Sequence, residues 1–306
     1  MRITALAGGV GGAKLLVGLD RALVGGELTA IVNTGDDATI YGVHVSPDVD
    51  IVSYWLADLA DVERGWGIEG DSFNVVDALS RLGGETWFRL GDRDLATCIR
   101  RTRLIASGAT LSAATDQITR ALGVRPRVLP MSDDSVRTKV VCSDGRTLEF
   151  QEYFVRERHR PAVAEVRFDG IADAKPAPDV LEAIEDADAV IVCPSNPVVS
   201  IGPILGLPGV RDALRGHERV IAVSPIVRGA PLKGPADKLL PAVGAEVSAS
   251  GVAALYADFC NVFVVDSTDN EQLEPVEELG IDAVALDTIM TDHDASEWLA
   301  TRLLKL

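Results

Sequence analysis

Apolar and polar positions along this chain alternate with two periods, and the points where the period changes mark out its elements. Ile3 to Ala7 is an unbroken apolar run ahead of a glycine cluster, which predicts a buried strand. After Gly8-Gly9-Val10-Gly11-Gly12, the residues Leu15, Leu16, Leu19 and Leu23 recur at helical spacing. A second run, Leu28 to Asn33, follows the Gly25-Gly26 stop. Strand, glycine turn, helix and strand make a βαβ unit whose crossover is right-handed.

From Asp48 to about Leu122 the pattern is mostly helical, with stretches at Ile51 to Leu59, Phe73 to Leu82, Leu95 to Ala106 and Leu111 to Leu122. This predicts a mainly helical insertion at about 48–125. On either side of Ser143-Asp144-Gly145-Arg146 the period becomes two, and Asp-Gly between β-branched runs predicts a β-hairpin at about 136–155. Alternation of helices and strands then resumes. Helix Asp179 to Glu185 precedes strand Ala189 to Cys193, and a helix near Pro208 to Leu214 precedes strand Val220 to Ser224. Further helices fall near Ala236 to Val243 and Val252 to Asp258, strands at Val262 to Val265 and Ala283 to Leu286, and a last helix runs to Leu304. The expected fold is one Rossmann-like α/β domain over 1–306, doubly wound around a mostly parallel sheet. Residues 1–47 and 179–306 are expected to share that sheet, with the middle packed on it.

Composition narrows the function. The 306 residues are 47% hydrophobic and 25% charged, with 29 basic against 46 acidic side chains and a net charge of −17. A globular fold follows, and the mean field repels nucleic acid and anionic lipid, so neither is expected as a partner. A phosphorylated ligand needs local help from a cation, backbone amides or placed arginines. Cys98, Cys142, Cys193 and Cys260 lie far apart with no C-x-x-C pair, and read as reduced core residues of a cytoplasmic protein. Seven residues before the glycine cluster are too few for a signal-peptide core, and no apolar run reaches membrane-spanning length.

Five strings carry candidate chemistry. The stretch Gly8-Gly9-Val10-Gly11-Gly12-Ala13-Lys14 joins a strand to a helix, where free amides and the positive helix end favour an anion. It matches neither a Walker A, which needs Ser or Thr after its lysine, nor the dinucleotide fingerprint, which fails at Lys14. Gly9, Val10, Gly11, Gly12 and Lys14 are therefore phosphate-binding candidates, against a plain turn that needs small residues for packing. Asn33-Thr34-Gly35-Asp36-Asp37 ends the second strand at the sheet's carboxyl edge. Ser46-Pro47-Asp48-Val49-Asp50 adds two carboxylates in a segment that Pro47 is expected to keep out of helix. Asp36, Asp37, Asp48 and Asp50 form a candidate Mg²⁺ site, since Mg²⁺ takes one or two carboxylates plus phosphate oxygens. Helix capping is the competing use of each pair.

Arg89-Leu90-Gly91-Asp92-Arg93-Asp94 places two arginines at a helix start, with Asp92 or Asp94 as its expected cap. Pro194-Ser195-Asn196-Pro197 follows another strand, and Ser195 and Asn196 offer donors and acceptors suited to a nucleobase. The four histidines show no ligand spacing. No Ser/His/Asp or Cys/His arrangement supports covalent catalysis.

Taken together with Leu129-Pro130-Met131-Ser132-Asp133-Asp134, these strings resemble, in order and spacing over nearly the whole chain, the 2-phospho-L-lactate transferase family of coenzyme F-420 biosynthesis. The resemblance implies a magnesium-dependent transfer from a guanosine-diphosphate-activated three-carbon acid, lactyl or enolpyruvyl. The acceptor is the ribityl hydroxyl of 7,8-didemethyl-8-hydroxy-5-deazariboflavin, and GMP leaves. It further implies a homodimer, with Asp50 and Arg89 around the deazaflavin, Asp36 as metal ligand and Asp50 as the catalytic candidate that accepts the hydroxyl proton. Two rival classes stay open. One is a non-catalytic relative that binds a nucleotide sugar in regulation. The other is a nicotinamide dehydrogenase, disfavoured by Lys14.

Overall fold

The computed structural model describes all 306 residues. Seven strands, numbered in chain order, form the central sheet: β1 Arg2–Ala7, β2 Glu27–Val32, β3 Arg127–Pro130, β4 Ala189–Val192, β5 Val220–Val223, β6 Val262–Asp266 and β7 Asp282–Leu286. All neighbouring pairs are parallel, and the order across the sheet is β3-β2-β1-β4-β5-β6-β7. The first six follow the doubly wound dinucleotide-fold order, with β7 added at one edge.

Strand sequence explains the layering. Side chains alternate across a strand, so Leu6, Ile31, Val190, Val192 and Ala222 enter one core, and Ala5, Ala7, Ala30, Val32 and Ile191 the other. The second core is roofed by α1 Gly9–Ala22, α2 Pro47–Leu56 and the C-terminal helix His293–Leu303. The first is covered by short helices at Val180–Glu185, Ile201–Gly206 and Val210–Arg215, and by a small antiparallel sheet. Helices α3 Asn74–Arg81, α4 Asp92–Ala106 and α5 Leu111–Ala121 fill the expected helical stretch. A satellite core of Ile40, Val45, Val76, Leu90, Leu95 and Cys98 joins α3 and α4 to a hairpin of Ala38–Ile40 and Val43–Val45. No helix is long and apolar enough to cross a membrane.

Several expectations need correction. The sheet is not confined to 1–47 and 179–306, because β3 lies between them and pairs with β2. The hairpin is shorter than 136–155, with strands Arg137–Cys142 and Thr147–Glu149, while Glu152–Arg156 forms a π-helical turn. A third strand, Val163–Asp169, completes that small sheet, and its half-exposed pattern hid it from a periodicity reading. Pro47 does not exclude helix from its segment. It is the first residue of α2, where a missing N–H costs nothing, so Asp48 and Asp50 sit in the helix's first turn. Nor does Asp92 or Asp94 cap α4. Asp71 accepts the N–H groups of Arg93 and Asp94 at the start of α4, while Asp92 accepts those of Asn74 and Val75 at the start of α3. The backbone N–H of Val75 and the Ser72 hydroxyl hold Asp92 down to a pKa of about 2. Gly91 makes this exchange possible, since a Cβ there would stand 2.1 Å from Asp71 Oδ2.

Candidate functional site

The chain leaves β1 toward β2 and leaves β4 toward β5, in opposite directions along the sheet. The crevice at the carboxyl ends of these neighbouring strands is the topological switch point, where open α/β sheets take ligands. One wall is the start of α1 and the other is the segment after β4. Helix begins already at Gly9, so the glycine string is its first turn rather than a loop before it. The walls approach closely. A Cβ on Gly11 would stand 2.3 Å from the Pro194 carbonyl oxygen, and one on Gly12 would stand 2.6 Å from Ser195 Oγ. Packing thus explains both glycines. The Gly8 N–H donates to Ser195 Oγ at 3.1 Å, tying the walls together.

Gly8 has no side chain to cap α1, and Asp48 of α2 does it instead, its Oδ1 accepting the Gly9 N–H at 2.8 Å. Asp48 Oδ2 accepts from Asn33 Nδ2 at 2.9 Å, and the same amide donates to Asp36 Oδ1 at 3.2 Å and to the Val199 carbonyl. One amide therefore brings Asp36 and Asp48 together under the helix N-terminus. Asp36 takes a further bond from Gln151 Nε2 at 2.6 Å, delivered by the small sheet. Both carboxyl groups are buried. Burial, then the neighbouring Asp48 and Asp37, drives the Asp36 pKa well above the usual carboxylate range, and burial lifts Asp48 to about 6.

The remaining predicted metal ligands face other partners. Asp37 Oδ2 pairs with His44 Nε2 at 2.7 Å, and its Oδ1 accepts from Ser46 Oγ at 2.6 Å. Asp50 is gripped by the fork of Arg101, whose guanidinium also reaches the His44 carbonyl at 3.2 Å. Arg101 is 1% exposed and is the largest fully buried side chain in the chain. Even so, burial raises the Asp50 pKa against the pull of that guanidinium. Asp50, Asp94 and Cys98 have ligand atoms within 4.8 Å of one another, but the Arg101 fork beside Asp50 opposes a cation there. Asp94 accepts from the Tyr54 hydroxyl at 2.8 Å, and burial together with Asp50 lifts it to about 7.

Of the other predicted residues, Val10 lies half-buried in the first turn of α1. Lys14 turns away from that turn, donating to the Met290 carbonyl at 2.7 Å with its ammonium 5.7 Å from the Trp55 ring centre. Burial and Lys233 lower its pKa. Asn196 Oδ1 accepts the N–H groups of Val198 and Val199, a turn that holds Val199 against Asn33. Arg89 is exposed, paired with Asp77 and lying over the Phe73 ring.

Asn33, Gln151, His44 and Arg101 were not singled out from sequence. Arg101 had a signal, since it follows Leu95 and Cys98 at helical spacing on the apolar stripe of α4. The polar groups that Gln151 and His44 meet lie over a hundred and seven residues away, respectively, and no local pattern announces them.

Comparison with known proteins shows the family. The profile of a family described as "2-phospho-L-lactate transferase CofD" matches residues 3–304. A 2-phospho-L-lactate transferase of Methanosarcina mazei is 44% identical over 294 residues, covering 96% of each chain. A phosphoenolpyruvate transferase of Streptomyces griseus is 45% identical over 312 aligned positions, covering 100% of this chain and 98% of that one. Among solved structures, protein BH3568 from Bacillus halodurans shares the fold, with a TM-score of 0.68 over 99% of both chains at 17% identity. A profile match over almost the whole length, with relatives at 44–45% identity, leaves one assignment: this chain belongs to the 2-phospho-L-lactate transferase CofD family.

Proposed function

We propose that this protein is a transferase of coenzyme F-420 biosynthesis. It moves a phospholactyl or phosphoenolpyruvyl group from a guanosine-diphosphate-activated acid to the ribityl hydroxyl of 7,8-didemethyl-8-hydroxy-5-deazariboflavin, and GMP leaves. The observation that carries the reading is the pair of buried carboxylates, Asp36 and Asp48, joined by one amide beneath the start of α1 at the switch point. Two carboxylates at one amide, with pKa values pushed up by burial, have a strong drive to meet a cation.

The donor set fits Mg²⁺. It is all oxygen, and the buried hydroxyl of Thr34, two residues before Asp36, has no hydrogen-bond partner of its own. Asp36 and Asp48 would hold the ion, with Gln151 and Asn33 orienting them, while Asp37 and Asp50 are engaged by His44 and Arg101. When bound, Mg²⁺ supplies neutralisation of the diphosphate charge, which a −17 protein otherwise repels.

The chemistry asked of the residues is mainly positioning, because phosphoryl transfer passes through a loose transition state with charge on the oxygens. The first-turn amides of α1 at Val10 and Gly11 and its positive end face the crevice that receives the diphosphate. Ser195 and Asn196, on the opposite wall, are assigned to the guanosine end. The ribityl oxygen attacks the distal phosphorus, the bond to the GMP phosphate oxygen breaks, and GMP takes that electron pair. Asp50, held as an anion by Arg101 but raised in basicity by burial, is the group assigned to the hydroxyl proton. The test is mass spectrometry of the deazaflavin after incubation with Mg²⁺ and each activated acid in turn. A product heavier by the phosphorylated acid supports the reading and identifies the donor. Unchanged deazaflavin with both acids overturns it.

A further inference from the structure

Residues 61–67 form a closed turn. The Gly65 N–H donates to the Asp61 carbonyl at 2.8 Å, the Asp61 N–H to the Gly67 carbonyl at 3.1 Å, and Ala60 bridges Ile68 below. Two glycines in the left-handed region, Gly65 at φ +78° and Gly67 at φ +71°, allow so tight a path. Between them stands Trp66, 41% exposed. The turn thus fixes an indole at the surface with part of its ring open to a flat ligand.

The ring is also braced. The Arg64 guanidinium lies 4.8 Å from its centre and 5.2 Å from that of Phe73, and Asp61 fixes Arg64 by hydrogen bonds from the same turn. Arg89 lies 4.6 Å from the Phe73 centre. Trp66 and Phe73 themselves meet edge to face, ring centres 6.0 Å apart and planes at 65°, so Trp66, Arg64, Phe73 and Arg89 form one compact aromatic–guanidinium stack in which Trp66 is the more exposed ring. The stack borders the site. A Cβ on Gly67 would stand 4.0 Å from Asp94 Oδ2, and Asp94 lies within 4.8 Å of Asp50.

Resting on the proposed function, we infer that the open face of Trp66 is the platform on which the planar ring of the deazaflavin acceptor stacks, with Arg64 and Arg89 beside its carbonyl edge. A ring placed there points its ribityl chain along the Asp94 side toward Asp50. Arg89 then acts as a member of the stack as well as a donor. Stacking of a heterocycle on an aromatic side chain gives about 1–3 kcal/mol by alanine substitution, so losing the indole weakens binding about tenfold or more.

The experiment titrates wild type, Trp66→Phe and Trp66→Leu with 8-hydroxy-5-deazariboflavin, reading tryptophan quenching and deazaflavin anisotropy, and separately with GDP and Mg²⁺. Circular dichroism melting verifies that each variant folds. The expected result is a Kd for the deazaflavin raised about tenfold or more in Trp66→Leu and only a few-fold in Trp66→Phe, with most of the quenching lost and the GDP Kd unchanged. Deazaflavin binding by Trp66→Leu at wild-type strength overturns this inference alone. Weakening of GDP rather than deazaflavin also overturns it, because the platform would then take the guanine. A wild-type protein that binds no deazaflavin overturns both the platform and the transferase reading.

Discussion

The buried carboxylates make the stability of the metal-free protein fall as pH rises. Asp48 titrates at about 6 and Asp94 at about 7 in the fold, against about 4 in the unfolded chain, and Asp36 is shifted the same way. Between those values the folded state holds protons that the unfolded state has released, so each unit of pH removes stability. The loss begins near the unfolded value of about 4 and is complete above the folded values. From pH 4.5 to 7.5, Asp48 crosses about 1.5 units and Asp94 about 2.5, at 1.36 kcal/mol per unit, which together gives on the order of 5 kcal/mol. Acids with lowered pKa values, such as Asp92 at about 2, finish titrating below this window. At about 2 °C per kcal/mol for a chain of this size, the thermal midpoint falls by about 10 °C.

The assay is thermal unfolding in chelator at about 0.3 M salt, which screens the surface field. Repeating it with Mg²⁺ at about a hundred times its Kd restores about 2.7 kcal/mol at pH 7.5 and far less at pH 4.5, where Asp36 and Asp48 are protonated. Part of the loss persists, because Asp94 belongs to the Arg101 cluster and not to the Asp36–Asp48 pair. A midpoint that stays flat or rises from pH 4.5 to 7.5 in chelator refutes the account of these carboxylates. A midpoint at pH 7.5 indifferent to Mg²⁺ refutes the cation seat.

Perturbations at three residues follow from the Arg101 cluster and the stack beside it. Arg101→Met leaves Asp50 buried without its partner, so denaturant unfolding shows a loss of about 3–5 kcal/mol, and Arg101→Lys recovers part of it. Asp50→Asn lowers turnover by about a hundredfold while GDP affinity, read by calorimetry, stays near wild type, and Arg89→Ala raises the deazaflavin KM with a smaller change in kcat.

The legible part of this protein was whatever repeats locally. Continuous apolar runs located six of the seven sheet strands, and the glycine string located the switch point, because a buried parallel strand and a βα turn each carry their signal in a few adjacent residues. The strand Arg127–Pro130 escaped, being four residues long with an arginine and a proline among them. Asp36 and Asp48 were legible as carboxylates at a sheet edge. Their convergence on Asn33 was not, since it depends on how α2 lies against α1. Pro47 was misread because the same residue breaks a helix from within and starts one at its first position. Asp92 and Asp94 were misassigned as caps of α4 for a related reason: Asp92 caps α3 while Asp71, 21 residues earlier, caps α4, an exchange that no capping pattern encodes.

The central claim is that Asp36 and Asp48 serve a transfer between two small molecules, and the most direct measurement is release of GMP from the guanosine-diphosphate-activated acid with Mg²⁺, with and without the deazaflavin. The account predicts release that requires the acceptor, one GMP for each phosphorylated deazaflavin formed, and loss of both in Asp36→Asn. Release at the same rate without acceptor would contradict it, as would a protein that binds the nucleotide yet releases no GMP with either acid, the behaviour of a regulatory binding relative.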